Sequence, residues 1–111
     1  MNAIGLNDID LESLKKGLAD GSLVLIDVRE PDEFAAGHIK GASINPLSRF
    51  DAEKLPAPAP GKKIVLYCRS GRRSVDAAER AHRAGRSDID THFGGGILAW
   101  VGAGLDTEKG D

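Results

Sequence analysis

A single cysteine stands where a strand is predicted to meet a helix in the middle of the chain. The apolar run at 64–67 predicts a buried strand, and the alanine-rich segment that begins at Val75 predicts a helix. Cys68 lies at the joint between them. The N–H groups of such a loop and of the first helical turn point at a common centre, where they stabilise an anion. This joint is therefore the predicted site of the chemistry.

The surroundings of Cys68 are basic. A free cysteine is only a few per cent thiolate at neutral pH, because its pKa lies near ~8.5. Lowering that value by ~2 units requires about 2.7 kcal/mol. A helix terminus supplies at most ~2 kcal/mol, so loop N–H groups and nearby cations must contribute. Arg69, Arg72 and Arg73 are those cations, and they argue against a structural cysteine in an apolar core. We predict that Cys68 is a thiolate at neutral pH.

The length and charge of the chain limit its class. A chain of 111 residues predicts one domain, over 1–111, and a formal charge of −2 with a pI near 5.9 gives no support for a nucleic-acid partner. One side should nevertheless be positive, which suits a small anionic substrate. The arginines of residues 69–86 are Arg69, Arg72, Arg73, Arg80, Arg83 and Arg86. For the last three, a solvated helix face is the alternative explanation.

Other features bear on cofactors and location. One cysteine excludes an internal disulfide, and the spacing of cysteine and histidine does not resemble a zinc site, so we expect neither a metal nor another cofactor. The first residues lack the pattern of a signal peptide, and the apolar runs fall short of the ~20 residues of a membrane span. The sequence therefore predicts a cytoplasmic protein without a membrane partner.

In chain order, the pattern alternates between strands and helices. Predicted strands cover 3–6, 23–26, 42–45, 64–67 and 89–93. The first helix is capped by Asp8 or Asp10 and stopped by Gly21, and a short second helix begins at Pro31. Such alternation predicts an α/β fold, with a mostly parallel sheet of about five strands and helices on both faces.

The remaining segments connect or end these elements. The proline-rich stretch 55–61 predicts an extended connector, and Gly85 ends the helix that follows Cys68. Three glycines at 94–96 precede a last short helix in which Trp100 anchors the core; they lack the lysine that completes a phosphate-binding loop. The polar tail 106–111 is expected to fray.

Three segments resemble the signatures of the rhodanese family of sulfurtransferases. They are 25–34 with 37–42, the loop 68–74 and the run 94–100. The resemblance implies a rhodanese-like α/β fold. It also implies that Asp27 and Arg29 help to hold the fold around the site and that Glu33 supports the catalytic loop, although Glu33 could be a plain exposed acid. It implies a structural hydrogen bond for His38.

The other histidines carry no partner signal. His82 and His92 are interpreted as structural or surface residues. The site therefore has a thiolate but no adjacent general base and no second cysteine. Such a thiolate can accept a sulfur atom, hold it as a persulfide and yield it only to an external nucleophile, which makes a two-step scheme. The resemblance implies thiosulfate as donor, sulfite as first product, and cyanide, a thiol or a sulfur-accepting protein as acceptor.

Roles within the loop follow from residue type. Cys68 is the predicted nucleophile, the N–H groups of 69–73 surround the persulfide, and the hydroxyls of Ser70 and Ser74 can add donors. Gly71 allows a positive φ or a close approach. The substrate-binding residues are predicted to be Arg69, Ser70, Gly71, Arg72, Arg73 and Ser74. Within this set, the two cations at 69 and 73 would hold the sulfonate oxygens of the donor, or else be solvated. The basic loop favours thiosulfate over 3-mercaptopyruvate.

Two other functions stay open. Cysteine phosphatases and arsenate reductases share the order of strand, anion loop and helix, but they need an arginine six positions after the cysteine. That position is Ser74 here, and Arg73 comes one residue early. The resulting ring should be too tight for phosphate. A non-catalytic rhodanese-like module for binding or sulfur relay is the other alternative, against which the cysteine and the intact loop argue.

Overall fold

The computed structural model of the protein describes residues 5–110, and parallel strands form its centre. These are β1 (Asn7–Asp8), β2 (Leu23–Asp27), β3 (Ser43–Ile44), β4 (Lys63–Tyr67) and β5 (Thr91–Phe93). They form a five-stranded sheet in the order β1-β5-β4-β2-β3, and every pairing is parallel. Strand β4, which was predicted from a continuous apolar run, therefore lies in the middle, as a strand covered on both faces should.

Helices cover both faces of this sheet, as the alternating pattern predicted. They are α1 (Leu11–Asp20), α2 (Pro31–Ala36), α3 (Arg72–Arg83) and α4 (Gly96–Gly102). The alanines of α3 pack with Ile64 and Leu66 on one face, whereas residues of α1 and α4 pack with Val65 and Tyr67 on the other. Alternate side chains of β4 thus enter two separate apolar clusters. The predicted α/β class is confirmed.

Local signals set the helix ends. The Asp10 side chain caps α1 by accepting a hydrogen bond from Ser13 N at 2.8 Å, and Gly21 ends that helix with φ 77°. Pro31 is the first residue of α2, where its missing N–H costs nothing. Glu30 and Glu33 form a capping box at the same end.

Both ends of the described chain make backbone contacts with distant segments. The first strand was predicted at 3–6; Ala3 and Ile4 lie outside the described residues, and β1 forms at Asn7–Asp8 against β5. The tail was expected to fray from Asp106 because its residues are polar. In the described part of that tail, the backbone of Glu108 pairs with that of His38, and Gly110 N donates to Ala35 O at 2.9 Å. Backbone groups can form such bonds whatever the polarity of the side chains.

The carboxyl ends of the strands meet at one edge. Asp27, Tyr67 and Phe93 are in register at the ends of β2, β4 and β5. The next residue after each of these strand ends enters a loop at that same edge, where open α/β sheets place their ligands. Cys68 is the first residue after β4.

Candidate active site

Cys68 occupies a closed position beneath its own loop. Only 1% of the residue is exposed, and it belongs to the apolar cluster that contains the alanines of α3, although the arginines beside it in sequence had argued against a position in an apolar core. Two polar groups reach the sulfur: Gly71 N donates to Sγ at 3.1 Å, and Ser74 Oγ lies 3.7 Å away. A thiolate or a persulfide at this position therefore faces an amide and a hydroxyl as well as aliphatic carbon.

Gly71 turns the loop into α3. Its φ of 97° lies in the left-handed region, and a Cβ at this position would come 2.6 Å from Gly94 O. Only glycine meets both conditions without strain. The turn directs the N–H of Gly71 at the sulfur and begins α3 at Arg72.

The glycines at 94–96 hold the other side of the loop. Ile97 N donates to Cys68 O at 3.0 Å, and Leu98 N donates to Arg69 O at 3.3 Å. Gly96 has φ 62°, and a Cβ there would lie 2.6 Å from Cys68 O. The first turn of α4 therefore binds two carbonyl oxygens of the loop. This contact requires glycine at 96, whereas a Cβ at 94 would meet the Asp8 carboxylate and one at 95 would meet Ala99. Sequence analysis had considered the three glycines only as the start of the last helix or as a phosphate-binding loop.

The predicted substrate-binding residues fall into exposed and buried groups. Arg69, Ser70 and Arg72 are exposed, whereas Ser74 is buried. Arg69 borders an open cleft of about 380 Å³ that also contacts Leu98 and Val101 of α4. Within residues 5–110, its side chain has no hydrogen-bond or ion-pair partner. It is therefore available to an anionic ligand.

Arg73 is placed differently from the expectation that it holds a donor. Its guanidinium forms a bidentate pair with Glu33 of α2, with Nη1 2.6 Å from Oε1 and Nη2 2.9 Å from Oε2. These hydrogen bonds lower the pKa of Glu33 to about 2 and raise the pKa of Arg73. Glu33 is thus not a plain exposed acid: it ties α2 to the first turn of α3.

Asp27 and Arg29 form a second pair, at the end of β2. The Asp27 carboxylate accepts from Arg29 Nε at 3.0 Å and from Nη2 at 2.7 Å, and both residues are buried. Nη2 also donates to Gly37 O at 2.7 Å. Burial acts to lower the pKa of Arg29, but the hydrogen bonds with Asp27 raise it above its ordinary value. The pair closes the turn from β2 into α2.

His92 is a site neighbour that sequence analysis missed. Its Nδ1 lies 2.7 Å from Ser74 Oγ, and the ring is buried. The residue sits in β5, next to the glycines that contact the loop. A histidine inside a predicted strand was the one available signal, and it did not reveal which side chain the ring would meet.

A family model described as a rhodanese-like domain matches residues 10–103. The chain belongs to this family. The resemblance of the three segments is thereby confirmed, and the fold agrees with that of a solved rhodanese-related protein from Thermoplasma volcanium. That structure has a TM-score of 0.75 and 27% identity, with 92% of this chain and 97% of that chain covered.

Curated relatives of this rhodanese-like domain include named sulfurtransferases. A sulfurtransferase of Allochromatium vinosum is 37% identical over 101 residues, which cover 90% of this chain and 92% of that protein. A thiosulfate:glutathione sulfurtransferase of Saccharomyces cerevisiae is 32% identical over 120 residues, which cover 95% of this chain and 85% of that protein. The uncharacterized protein slr1261 of Synechocystis sp. is 48% identical over 88 residues, covering 79% of this chain. The chain spans about half of slr1261, at 48% of its length.

The basic side of the rhodanese-like domain is less available than its composition implied. Arg80 pairs with Asp76 and donates to Leu47 O at 3.0 Å. Arg86 follows α3 and donates to Pro56 O at 2.7 Å, which ties down the proline-rich connector. These two arginines therefore contribute hydrogen bonds to neighbouring loops.

The other histidines of the rhodanese-like domain are engaged in local structure. His38 stacks on Phe34 with ring centroids 3.7 Å apart, and its Nδ1 lies 2.9 Å from Phe34 O. His82 Nε2 lies 2.7 Å from Ile89 O. Within residues 5–110, no cluster of three or more His, Cys, Asp or Glu side chains is arranged to hold a metal ion. The helices in that same range are too short or too polar to cross a membrane.

Proposed function

We propose that this domain is a sulfurtransferase in which Cys68 carries a sulfur atom from thiosulfate to cyanide or to a thiol. The observation that carries the proposal is the contact between Gly71 N–H and Cys68 Sγ at 3.1 Å. A backbone N–H aimed at sulfur stabilises the charged form of a thiol or a persulfide, because hydrogen bonds to ionised acceptors are stronger than neutral ones. The named sulfurtransferases among its relatives support the same activity.

In the first step, the Cys68 thiolate attacks the terminal sulfur of thiosulfate. The new S–S bond joins Cys68 to that sulfur, the S–S bond within thiosulfate breaks, and sulfite leaves with the electron pair. The negative charge then lies on the outer sulfur of the persulfide. Because Cys68 is 1% exposed, a donor with a small terminal sulfur fits better than one with a hindered sulfur.

In the second step, an external nucleophile attacks the outer sulfur. Cyanide leaves as thiocyanate, or a thiolate leaves as its persulfide, and the Cys68 thiolate is restored. The structure places Ser74 and an amide beside the sulfur, and the chain has no second cysteine that could resolve the persulfide. An external acceptor is therefore required. The relative named for thiosulfate and glutathione supports a small thiol, and a sulfur-accepting protein is a further candidate.

Arg69 is the proposed contact for the sulfonate oxygens of the donor. It is exposed beside the loop and has no partner within residues 5–110, whereas the guanidinium of Arg73 is paired with Glu33. Arg72 and Ser70 add an exposed cation and a hydroxyl at the same edge. This basic edge favours thiosulfate over 3-mercaptopyruvate. A reducing compartment such as the cytoplasm suits the reaction, because the thiol must stay unoxidised between cycles.

Intact mass after incubation with thiosulfate tests the central step. We expect a gain of one sulfur atom, its loss on addition of cyanide or thiol, and no gain in Cys68→Ser. A native protein that gains no sulfur would contradict the proposal. An aryl phosphate serves as the second substrate, since turnover of that compound without sulfur transfer would assign the domain to phosphatase chemistry instead. No turnover is expected, because the position six after Cys68 is Ser74.

A further inference from the structure

Ser74 stands between the reactive sulfur and a buried imidazole. Its Oγ lies 3.7 Å from Cys68 Sγ, 2.7 Å from His92 Nδ1 and 3.1 Å from Gly71 O. Ser74 is fully buried and His92 is 6% exposed. The hydroxyl therefore has to choose among three protein partners, with little competition from bulk water.

The hydrogen-bonding capacity of the hydroxyl limits which of these contacts can exist at the same time. A serine hydroxyl has one proton to donate and two lone pairs that accept. Gly71 O can only accept, and so can a thiolate at Cys68. If Ser74 donates to the thiolate, it loses its bond to Gly71 O, and its lone pairs can accept from a donor on its other side. Nδ1–H of His92 is placed to be that donor.

The sheet holds His92 in position for this contact. In the parallel register, His92 is adjacent to Leu66 of β4 and to Asp8 of β1, so the three side chains project from the same face. Leu66 packs against α3 on that face, and Ser74 belongs to α3. Burial lowers the pKa of His92, and the Asp8 carboxylate opposes that effect without reversing it. A neutral ring has a single N–H, which can lie on Nδ1.

We propose that His92 is a positioning residue that donates from Nδ1 to Ser74 and thereby turns the Ser74 hydroxyl proton towards the Cys68 thiolate. The proposal rests on the proposed function in that Cys68 is taken as a reactive thiolate. His92 itself touches neither the donor nor the acceptor of sulfur. Its effect appears in the ionisation of Cys68, which can be measured without any sulfur transfer.

The test is the pH dependence of Cys68 alkylation by iodoacetamide in matched His92 variants. Asparagine places an amide N–H near the position of Nδ1, whereas glutamine places it near Nε2. We expect His92→Gln and His92→Phe to raise the pH midpoint of alkylation by about one unit, since a hydrogen bond to a charged group is worth about that much. We expect His92→Asn to stay near the native midpoint.

A double substitution separates an action through Ser74 from a general effect on the fold. Ser74→Ala should raise the midpoint, and adding His92→Phe should raise it no further. The proposal is overturned if Gln and Asn at 92 shift the midpoint equally, if neither shifts it, or if the two substitutions are additive. If thermal unfolding shows that His92→Phe is not folded, the comparison of His92→Asn with His92→Gln still tests the proposal.

The outcome is distinguishable from a failure of the proposed function. If the native protein gains no sulfur from thiosulfate, yet the midpoint responds to His92 and Ser74 as described, the positioning role stands and the sulfurtransferase proposal falls. If the native protein gains sulfur but the midpoint of alkylation is unchanged in the His92 variants, the sulfurtransferase proposal stands and the positioning role falls.

Discussion

Arg73 and Glu33 lie 40 positions apart in sequence and face each other as a bidentate pair, with Nη1 2.6 Å from Oε1. The pair joins the first turn of α3 to α2 across the carboxyl edge of the sheet. About a third of each side chain is exposed, 30% for the arginine and 29% for the glutamate. The degree of burial of this pair therefore lies between that of a surface ion pair and that of a buried one.

Glu33→Gln should lower the free energy of unfolding by about 1 kcal/mol near neutral pH, because it replaces a charge-assisted pair with a neutral contact. The pKa of Glu33 in the folded protein, about 2, lies below its ordinary value of 4.5. The stabilisation is thus fully present above the ordinary value and is lost as the pH falls towards about 2. Urea titrations of both proteins at several pH values measure this difference.

A difference between native protein and Glu33→Gln that stays constant with falling pH would show that the pair contributes nothing through ionisation. Arg73→Lys is the companion variant. It keeps the positive charge but loses the bidentate geometry, so it should recover only part of the native stability.

Gly96→Ala should destabilise the protein by about 2 kcal/mol or more, because an added methyl meets backbone at a positive φ. The new Cβ would lie 2.6 Å from Cys68 O. Gly102→Ala in the same helix is the control: its Cβ has nothing within 4 Å, and it should be neutral or slightly stabilising. Urea unfolding compares the two variants. Equal stability of the two variants would mean that a methyl group at position 96 does not clash with the backbone of the loop.

Arg69→Ala should raise KM for thiosulfate by about tenfold while kcat changes little, since it removes a contact to the donor that exists before the transition state. Arg83→Ala, an exposed residue at the end of α3, should leave KM near the native value. Steady-state kinetics at two ionic strengths provide the measurement. If Arg69→Ala has the same KM as the native protein, groups other than Arg69 bind the donor.

Asp27→Asn should cost about 3–5 kcal/mol of stability, because it leaves the buried guanidinium of Arg29 without its counter-charge. The exposed Asp32→Asn in α2 should cost less than about 0.5 kcal/mol. Thermal unfolding of the two variants makes the comparison. A small loss in Asp27→Asn would mean that water reaches Arg29 in place of the carboxylate.

The strands and helices were largely predictable because their signals are local. Asp10 and Gly21 bound α1, and Pro31 starts α2, through backbone geometry and hydrogen bonds within a few residues of each position. The apolar run before Cys68 has the length and composition of a buried strand, and the structure uses it as the central one. These elements needed no knowledge of distant partners.

The fold class and the position of Cys68, at the joint between the central strand and α3, were thus determined by the sequence alone. Tertiary structure decided which groups surround that cysteine: Arg73 turned to Glu33, His92 reached Ser74, and the glycines at 94–96 closed on the loop. Each of these contacts joins segments that are far apart in the chain and meet only when parallel strands align their carboxyl ends. Local propensity carries no information on such meetings, because they depend on strand order and register, which the packing of the whole sheet sets.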